Sequence, residues 1–277
     1  MRDTNSDKDR ILILGASGFL GQAIYRELCS YFNTFGTYRI PTKDFVNNQH
    51  FYQYDVEEDD VIEIVKATRP TIIISALRGD FSSQVLAHQH LFKYLKSNKA
   101  KIIFISSANV FDAYSKFPSY ENDKTLSNSI FGYFKIKIED MLMRLPQEQY
   151  AILRLPMVFG AQSPRIKEIK AQIREKIPIE VFPKLIMNVT TDYKVTQQIH
   201  YIINRDRFGI FHLGSEDLVH HDDFIKEIVK TLGNFKPIFK QVYTTNDDRY
   251  LAVLPKYNKL PNHLQIKSSD VLAELEV

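Results

Sequence analysis

The chain contains no tryptophan and only one cysteine, Cys29. A single thiol excludes an intrachain disulfide and a cysteine-built zinc site. A cytoplasmic location is therefore the default expectation. Long hydrophobic runs are also missing. No apolar stretch approaches the length that spans a bilayer, so no membrane partner is expected. The segment Met1–Arg10 is polar and mixed in charge, without the apolar centre of a secretory signal. Charge of one sign is lacking too: a net +3 over 277 residues gives no argument for nucleic acid as a partner. No internal repeat or low-complexity tract is visible. What remains, 44% hydrophobic and 25% charged residues, is the composition of a globular chain. Its length suits one large domain, or a domain with a lobe.

The first half alternates short apolar runs with longer amphipathic ones. Ile11 to Leu14, Thr34 to Tyr38, Phe51 to Val56, Thr71 to Leu77, Lys101 to Ser106 and Tyr150 to Leu155 read as strands. Gln22 to Tyr31, Asp59 to Thr68, Ser82 to Ser97 and Tyr133 to Arg144 read as helices between them. Near-continuous apolar strands suit a parallel sheet covered on both faces. The expected fold class is α/β, a Rossmann-like doubly wound parallel sheet, with ligands at the carboxyl ends of the strands. After Pro156 the rhythm changes, and Pro164, Pro178 and Pro183 break the pattern. The expected division is a dinucleotide-binding domain over 1–160, with a returning segment near 192–214, and a smaller C-terminal substrate-binding lobe over 161–277.

Gly15-Ala16-Ser17-Gly18-Phe19-Leu20-Gly21 directly follows the first strand and opens the first helix. In that context the glycines have separate uses. Gly15 permits a tight turn, Gly18 lets backbone amides approach a pyrophosphate, and Gly21 lets the helix pack close to the strand. The free N–H groups of the helix N-terminus then face the phosphates. A carboxylate gripping the adenosine ribose belongs at the end of the second strand, but none occurs there before Asp44. Arg39 stands at that end, where a guanidinium suits a 2′-phosphate. NADP(H) is therefore favoured over NAD(H), against a plain reading of Arg39 as a solvated loop residue.

Tyr133-Phe-Lys-Ile-Lys137 spaces a phenol and an ammonium four residues apart, on one face of a helix. A nearby cation stabilises a phenolate, and such a tyrosine can donate a proton to a carbonyl oxygen. Ser106 and Ser107 end the preceding strand, where a sheet presents residues to its site. Their bland alternative is capping or loop hydrogen bonding.

The Gly-x-x-Gly-x-x-Gly spacing resembles the extended branch of the short-chain dehydrogenase/reductase superfamily. Ser106-Ser107-Ala108-Asn109-Val110-Phe111-Asp112, Tyr120-Glu121 and Leu153 to Gly160 resemble blocks of the dTDP-4-dehydrorhamnose reductases, in that family's order. The likeness is dense to residue 160 and thin after it. It implies a catalytic set of Tyr133 as general acid, Ser107 holding the substrate carbonyl oxygen, and Lys137 binding the nicotinamide ribose. It adds cofactor contacts at Asp55 and Val56, at Ser75-Ala76-Leu77 and at Pro156, beside Ser17, Phe19 and Leu20 of the turn. Asp55 has a second reading as a helix cap. No metal ligand is implied. His220-His221 with Asp222-Asp223 reads as a solvated helix start.

The implied reaction is reduction of a ketone on a sugar nucleotide, the small-molecule partner. Departures fall on the substrate side. Ser75 stands where the family has Asn, Ala108-Asn109 replaces Asp-Tyr, and Lys194 falls where an aspartate is usual. An NAD-dependent epimerase or dehydratase is the alternative enzyme, weakened by the missing acidic residue beside Ser107. A non-catalytic NADP-binding protein, like the regulatory β subunit of methionine adenosyltransferase, is a third reading. Helices flanking the sheet leave a homodimer open.

Overall fold

A computed structural model describes residues 9–114, 116–233 and 235–276. The segment read above for a secretory signal lies mostly outside them.

The chain opens with β1 (Arg10–Leu14), α1 (Phe19–Leu28), β2 (Asn33–Tyr38), α2 (Lys43–Val46), β3 (Phe51–Gln53) and α3 (Val61–Thr68). It continues with β4 (Ile72–Ser75), α4 (Phe81–Ser97), β5 (Lys101–Ser107), α5 (Ile130–Leu142) and β6 (Tyr150–Leu155). Then come β7 (Met157–Phe159), α6 (Pro164–Glu175), β8 (Ile179–Val181), β9 (Leu185–Met187), β10 (Val189–Thr191) and α7 (Asp192–Asn204). The last elements are β11 (Gly209–His212), β12 (Val219–His220), α8 (His221–Leu232), β13 (Phe239–Gln241), β14 (Arg249–Leu251) and α9 (Ser268–Ala273).

Seven strands form one sheet in the order β11-β6-β5-β4-β1-β2-β3. Pairing is parallel from β5 through β4, β1 and β2 to β3. The order runs one way from β1 to β3 and the other way from β1 to β6, so it reverses between β1 and β4. A crevice opens at the carboxyl ends of the strands at such a reversal. The strand sequences explain the sheet. Ile11 to Leu14 are fully buried, as are Ile73, Ile74, Ile102 and Ile103. Strands covered on both faces need apolar residues at every position rather than at alternate ones.

The chain divides into two compact units. The first runs to Ser106 and takes in Phe134–Leu153 and Ile199–Ile210. Its core joins Leu12, Leu14, Ile73, Ile102 and Phe104 of the strands to Leu91 and Leu95 of α4 and Ile138 and Leu142 of α5. The second holds Ser107–Tyr133, Arg154–Gln198 and the chain from Phe211 on. Its core packs Phe224, Ile225, Ile228 and Val229 of α8 on Ile166 and Ile169 of α6 and on Val181, Met187 and Val189. That apolar stripe recurs every three to four residues, as an amphipathic helix requires.

Pro164 does not break the pattern, as the sequence reading expected. It is the first residue of α6, where a missing N–H costs nothing. The Ser163 hydroxyl caps that helix, accepting from the Ile166 amide at 3.2 Å.

Candidate active site

The turn after β1 is built for close approach. Gly15 has φ +81°, and a Cβ there would lie 2.6 Å from the Ala76 carbonyl oxygen. A Cβ on Gly21 would lie 2.1 Å from the Gly15 carbonyl oxygen, so α1 can leave the turn only with glycine at that position. The Thr37 side chain pins the turn by accepting from the Gly15 amide at 2.8 Å. No side chain caps the start of α1, and no acidic residue sits in its first turn. Its first amides keep their capacity to bind an anion.

A cavity of about 580 Å³ lies against this turn. Gly15, Ser17 and Gly18 form one wall, Thr37 and Arg39 of the β2 end another, and Val56, Ala76 and Leu77 also line it. The structure adds Arg78 to the lining, which the sequence reading passed over although it follows directly on Leu77. The Arg39 guanidinium is 3.9 Å from the Glu57 carboxylate. Two other expected cofactor residues are engaged elsewhere. Ser75 is buried, with its hydroxyl 2.9 Å from Nε2 of His88. The Asp55 carboxylate accepts from the Glu57 amide at 3.0 Å, closing the turn into α3. The actual cap of α3 is Asp60, which accepts from the Ile62 amide at 3.0 Å. Tyr54 also borders the cavity, and its phenol is pushed up by burial and then by Asp59, Asp60 and Asp55.

Ser106 and Ser107 end β5 with opposite fates, as neighbours on a strand must. Ser106 is buried and donates to the Glu139 carboxylate. Ser107 is partly exposed. Its hydroxyl accepts from the Asn109 amide at 3.2 Å and donates to the Asn109 side-chain oxygen at 3.0 Å. It thus starts the short 3₁₀ turn Ala108–Phe111.

The segment leading into Tyr133 is pressed onto that same turn. A Cβ on Gly132 would lie 2.2 Å from the Asn109 carbonyl oxygen and 2.1 Å from the Ser127 hydroxyl. Asp112 accepts from the amide of Asn128 at 2.6 Å and from the hydroxyls of Ser127, at 2.9 Å, and Ser129. Ser129 in turn accepts from the Gly132 amide at 3.0 Å. This network fixes where α5 begins. Tyr133 is 55% exposed. Lys137 follows one helical turn later on α5.

Lys135, the middle of the Tyr-x-x-x-Lys run, points inward instead. It donates to the Ile105 carbonyl at 2.9 Å and lies 4.6 Å from the Phe104 ring centre. Burial lowers its pKa to about 8, against the opposing pull of Glu139. Nothing in the three-residue spacing marks it. Only the period of a helix with two covered faces does.

The RmlD substrate binding domain family matches residues 9–268. The chain belongs to that family. Among solved structures, this RmlD-family chain is similar to dTDP-4-dehydrorhamnose reductase from Bacillus anthracis in complex with NADP. The identity is 20%, with 97% of this chain and 99% of that one covered and a TM-score of 0.77. It is also similar to dTDP-glucose 4,6-dehydratase from the same organism in complex with NAD. There the identity is 14%, with 96% and 94% covered and a TM-score of 0.78. These likenesses are of fold. Among curated proteins it is 30% identical over 164 residues to methionine adenosyltransferase 2 subunit beta of Xenopus tropicalis, covering 54% of this chain and 47% of the relative. The chain spans about half the length of the curated relatives it matches. Among the described residues no helix is long and apolar enough to cross a membrane.

Proposed function

We propose that the protein is an NADPH-dependent oxidoreductase that reduces a ketone carried on a nucleotide-linked sugar. The observation that carries this reading is the glycine cradle at α1, which opens on a cavity bordered by Arg39. The glycines let α1 start hard against the ends of β1 and β4, and its first turn carries no side-chain cap and no acidic residue, so the residues fit the pyrophosphate of a dinucleotide.

When bound, such a cofactor supplies hydride. The chain's own residues do the rest. The amides of the first turn of α1 hold the pyrophosphate, and Arg39 pairs with the 2′-phosphate. Ser107 turns its hydroxyl proton from the Asn109 side-chain oxygen to the substrate carbonyl oxygen. Tyr133 gives its phenolic proton to that oxygen as charge develops on it. Lys137 holds the nicotinamide ribose and orients it toward Tyr133. The nucleotide-sugar assignment rests on the reductase and dehydratase neighbours. Reduction is preferred to dehydration because Ala108 and Asn109 put no acid beside Ser107.

The test is a screen of nucleotide keto-sugars read by loss of NADPH absorbance, with Tyr133→Phe beside the parent protein. The expected result is turnover that Tyr133→Phe abolishes while cofactor affinity is unchanged. Equal turnover in the variant would remove Tyr133 from the chemistry. A second reading, a dinucleotide-binding subunit with no turnover of its own, is favoured by the likeness to methionine adenosyltransferase 2 subunit beta. Tight NADPH binding with no oxidation across the screen would select it.

A further inference from the structure

Arg39 is not alone at its end of the cavity. Its guanidinium Nη1 lies 3.9 Å from Oε1 of Glu57, and the two side chains are 56% and 46% exposed. The same Glu57 oxygen accepts from the backbone N–H of Asp80 at 3.3 Å. Asp80 in turn caps α4, so Glu57 is tied to the start of that helix. A Cβ on Gly79 would stand 3.4 Å from Glu57 Oε1. Gly79 lines the cavity together with Arg78 and Arg39. A carboxylate is thus held 3.9 Å from Arg39, which lines the cavity.

The sequence of β2 carries no carboxylate at its end. The fold delivers one from beyond the next strand: Glu57 lies in the turn after β3, and β3 pairs with β2. Resting on the dinucleotide reading above, we infer that Glu57 is a specificity-determining residue of this site. Its carboxylate shares Arg39 with an incoming 2′-phosphate and keeps the preference for NADPH over NADH lower than Arg39 alone would set.

The chemistry has two sides. A phosphate monoester carries nearly two negative charges at neutral pH. To reach Arg39 it must displace Glu57 from the guanidinium or lie next to a like charge. A ribose 2′-hydroxyl makes no such demand and can donate to a carboxylate at this position, as it does to the acidic residue of NAD-binding sites. The pair is solvent-exposed, so its effect is modest. Exposed ion pairs shift equilibria by about fivefold at most, and salt screens them.

The experiment measures the dissociation constants of NADPH and NADH for the full chain by calorimetry, at low salt. The variants are Glu57→Gln, Arg39→Met and the double variant. Glutamine retains an oxygen that can accept from the Asp80 amide, so it removes charge without removing that bond. Melting temperatures establish that each variant is folded, and Glu57→Ala gives a second reading of the same ratio. The expected result is that Glu57→Gln tightens NADPH by about three- to fivefold and leaves NADH equal or weaker. In the Arg39→Met background the same change should move the NADPH-to-NADH ratio by less than about twofold, because Glu57 acts through the shared guanidinium. An unchanged ratio in Glu57→Gln, with the parent protein still binding dinucleotide, overturns this inference alone. A parent protein that binds neither cofactor overturns the dinucleotide reading and this inference with it.

Discussion

The backbone of Gly132 rests against the carbonyl of Asn109 so closely that a Cβ would come within 2.2 Å of the oxygen. Asn109 belongs to the turn that the Ser107 hydroxyl starts, and Gly132 immediately precedes Tyr133. The contact sets the position of the proposed proton donor relative to the proposed carbonyl-binding hydroxyl. Gly132→Ala should push the start of α5 away from that turn. Misplacement on the ångström scale costs about a hundredfold in rate when reacting groups must be aligned. The expected outcome is a fall of at least about tenfold in kcat, a loss of about 1–3 kcal/mol in stability from overpacking, and an unchanged dissociation constant for NADPH. Steady-state kinetics and cofactor titration on one preparation check it. Full activity would mean that the register between the two segments does not matter.

A second glycine gives the opposite dissociation of effects. Gly21→Ala brings a methyl to 2.1 Å from the Gly15 carbonyl oxygen and 2.9 Å from the Ala16 Cα. The three nearest atoms are all backbone, so no flexible side-chain end can simply move aside. The helix must lift from the turn, and the amides proposed to hold the pyrophosphate move with it. NADPH affinity should fall by more than about tenfold, with a lower melting temperature. Calorimetry and thermal denaturation read both. Unchanged affinity would detach the turn from cofactor binding.

These glycines were legible in the sequence because the motif fixes their spacing. The parallel strands were legible for a related reason: burial on both faces makes each strand apolar at every position. Other features depend on what the fold brings together. Gly132 is an ordinary residue until Asn109 and Ser127 arrive from elsewhere in the chain. Glu57 carries no mark of the β2 end until β3 pairs beside it. Pro164 reads as a breaker in sequence because a proline at the first position of a helix and one between helices look alike until the Ser163 hydroxyl is seen to cap α6. Ser75 ends an apolar strand, and the family likeness places it toward the cofactor. Its bond to His88 of α4 turns it inward.

Three buried histidines make the fold sensitive to acid. His88 is lowered to about 4, chiefly by burial and also by the charge of Lys135. His212 is lowered to about 3 by burial and by Arg154, and His221 to about 4 by burial and by Arg165. In the unfolded chain each takes up a proton near pH 6.5. Between that pH and about 4 the unfolded state therefore binds more protons than the folded one, and stability falls as the pH is lowered through this window. Each group contributes up to about 1.4 kcal/mol per pH unit. Urea denaturation at steps from pH 7 to 4 should show a falling midpoint. His88→Gln should lessen the slope. A stability that holds level across this range would mean that the histidines are protonated without cost.

The buried pair of Lys135 and Glu139 supplies a test at the alkaline end. Both side chains are buried. Glu139 accepts from Ser106, and Lys135 donates to the Ile105 carbonyl at 2.9 Å. The lysine pKa is lowered to about 8, with burial outweighing the attraction of Glu139. Unfolded, the same group loses its proton near 10.4. Between about 8 and 10.4 the unfolded chain holds the extra proton, so this lysine makes the folded state more favoured as the pH rises through that window. Removing the lysine alone leaves a carboxylate without its buried counter-charge. Lys135→Met is therefore expected to lose about 3 kcal/mol at pH 7, the usual cost of breaking a buried pair from one side. Lys135→Met with Glu139→Gln removes both charges and should return to within about 1 kcal/mol of the parent, because neutral replacement of a buried pair costs little. The double variant should also lack the rise in stability between pH 8 and 10.4. A single variant as stable as the parent at pH 7 would show that Glu139 does not depend on Lys135. A double variant no better than the single one would place the value of Lys135 in its bond to Ile105 instead.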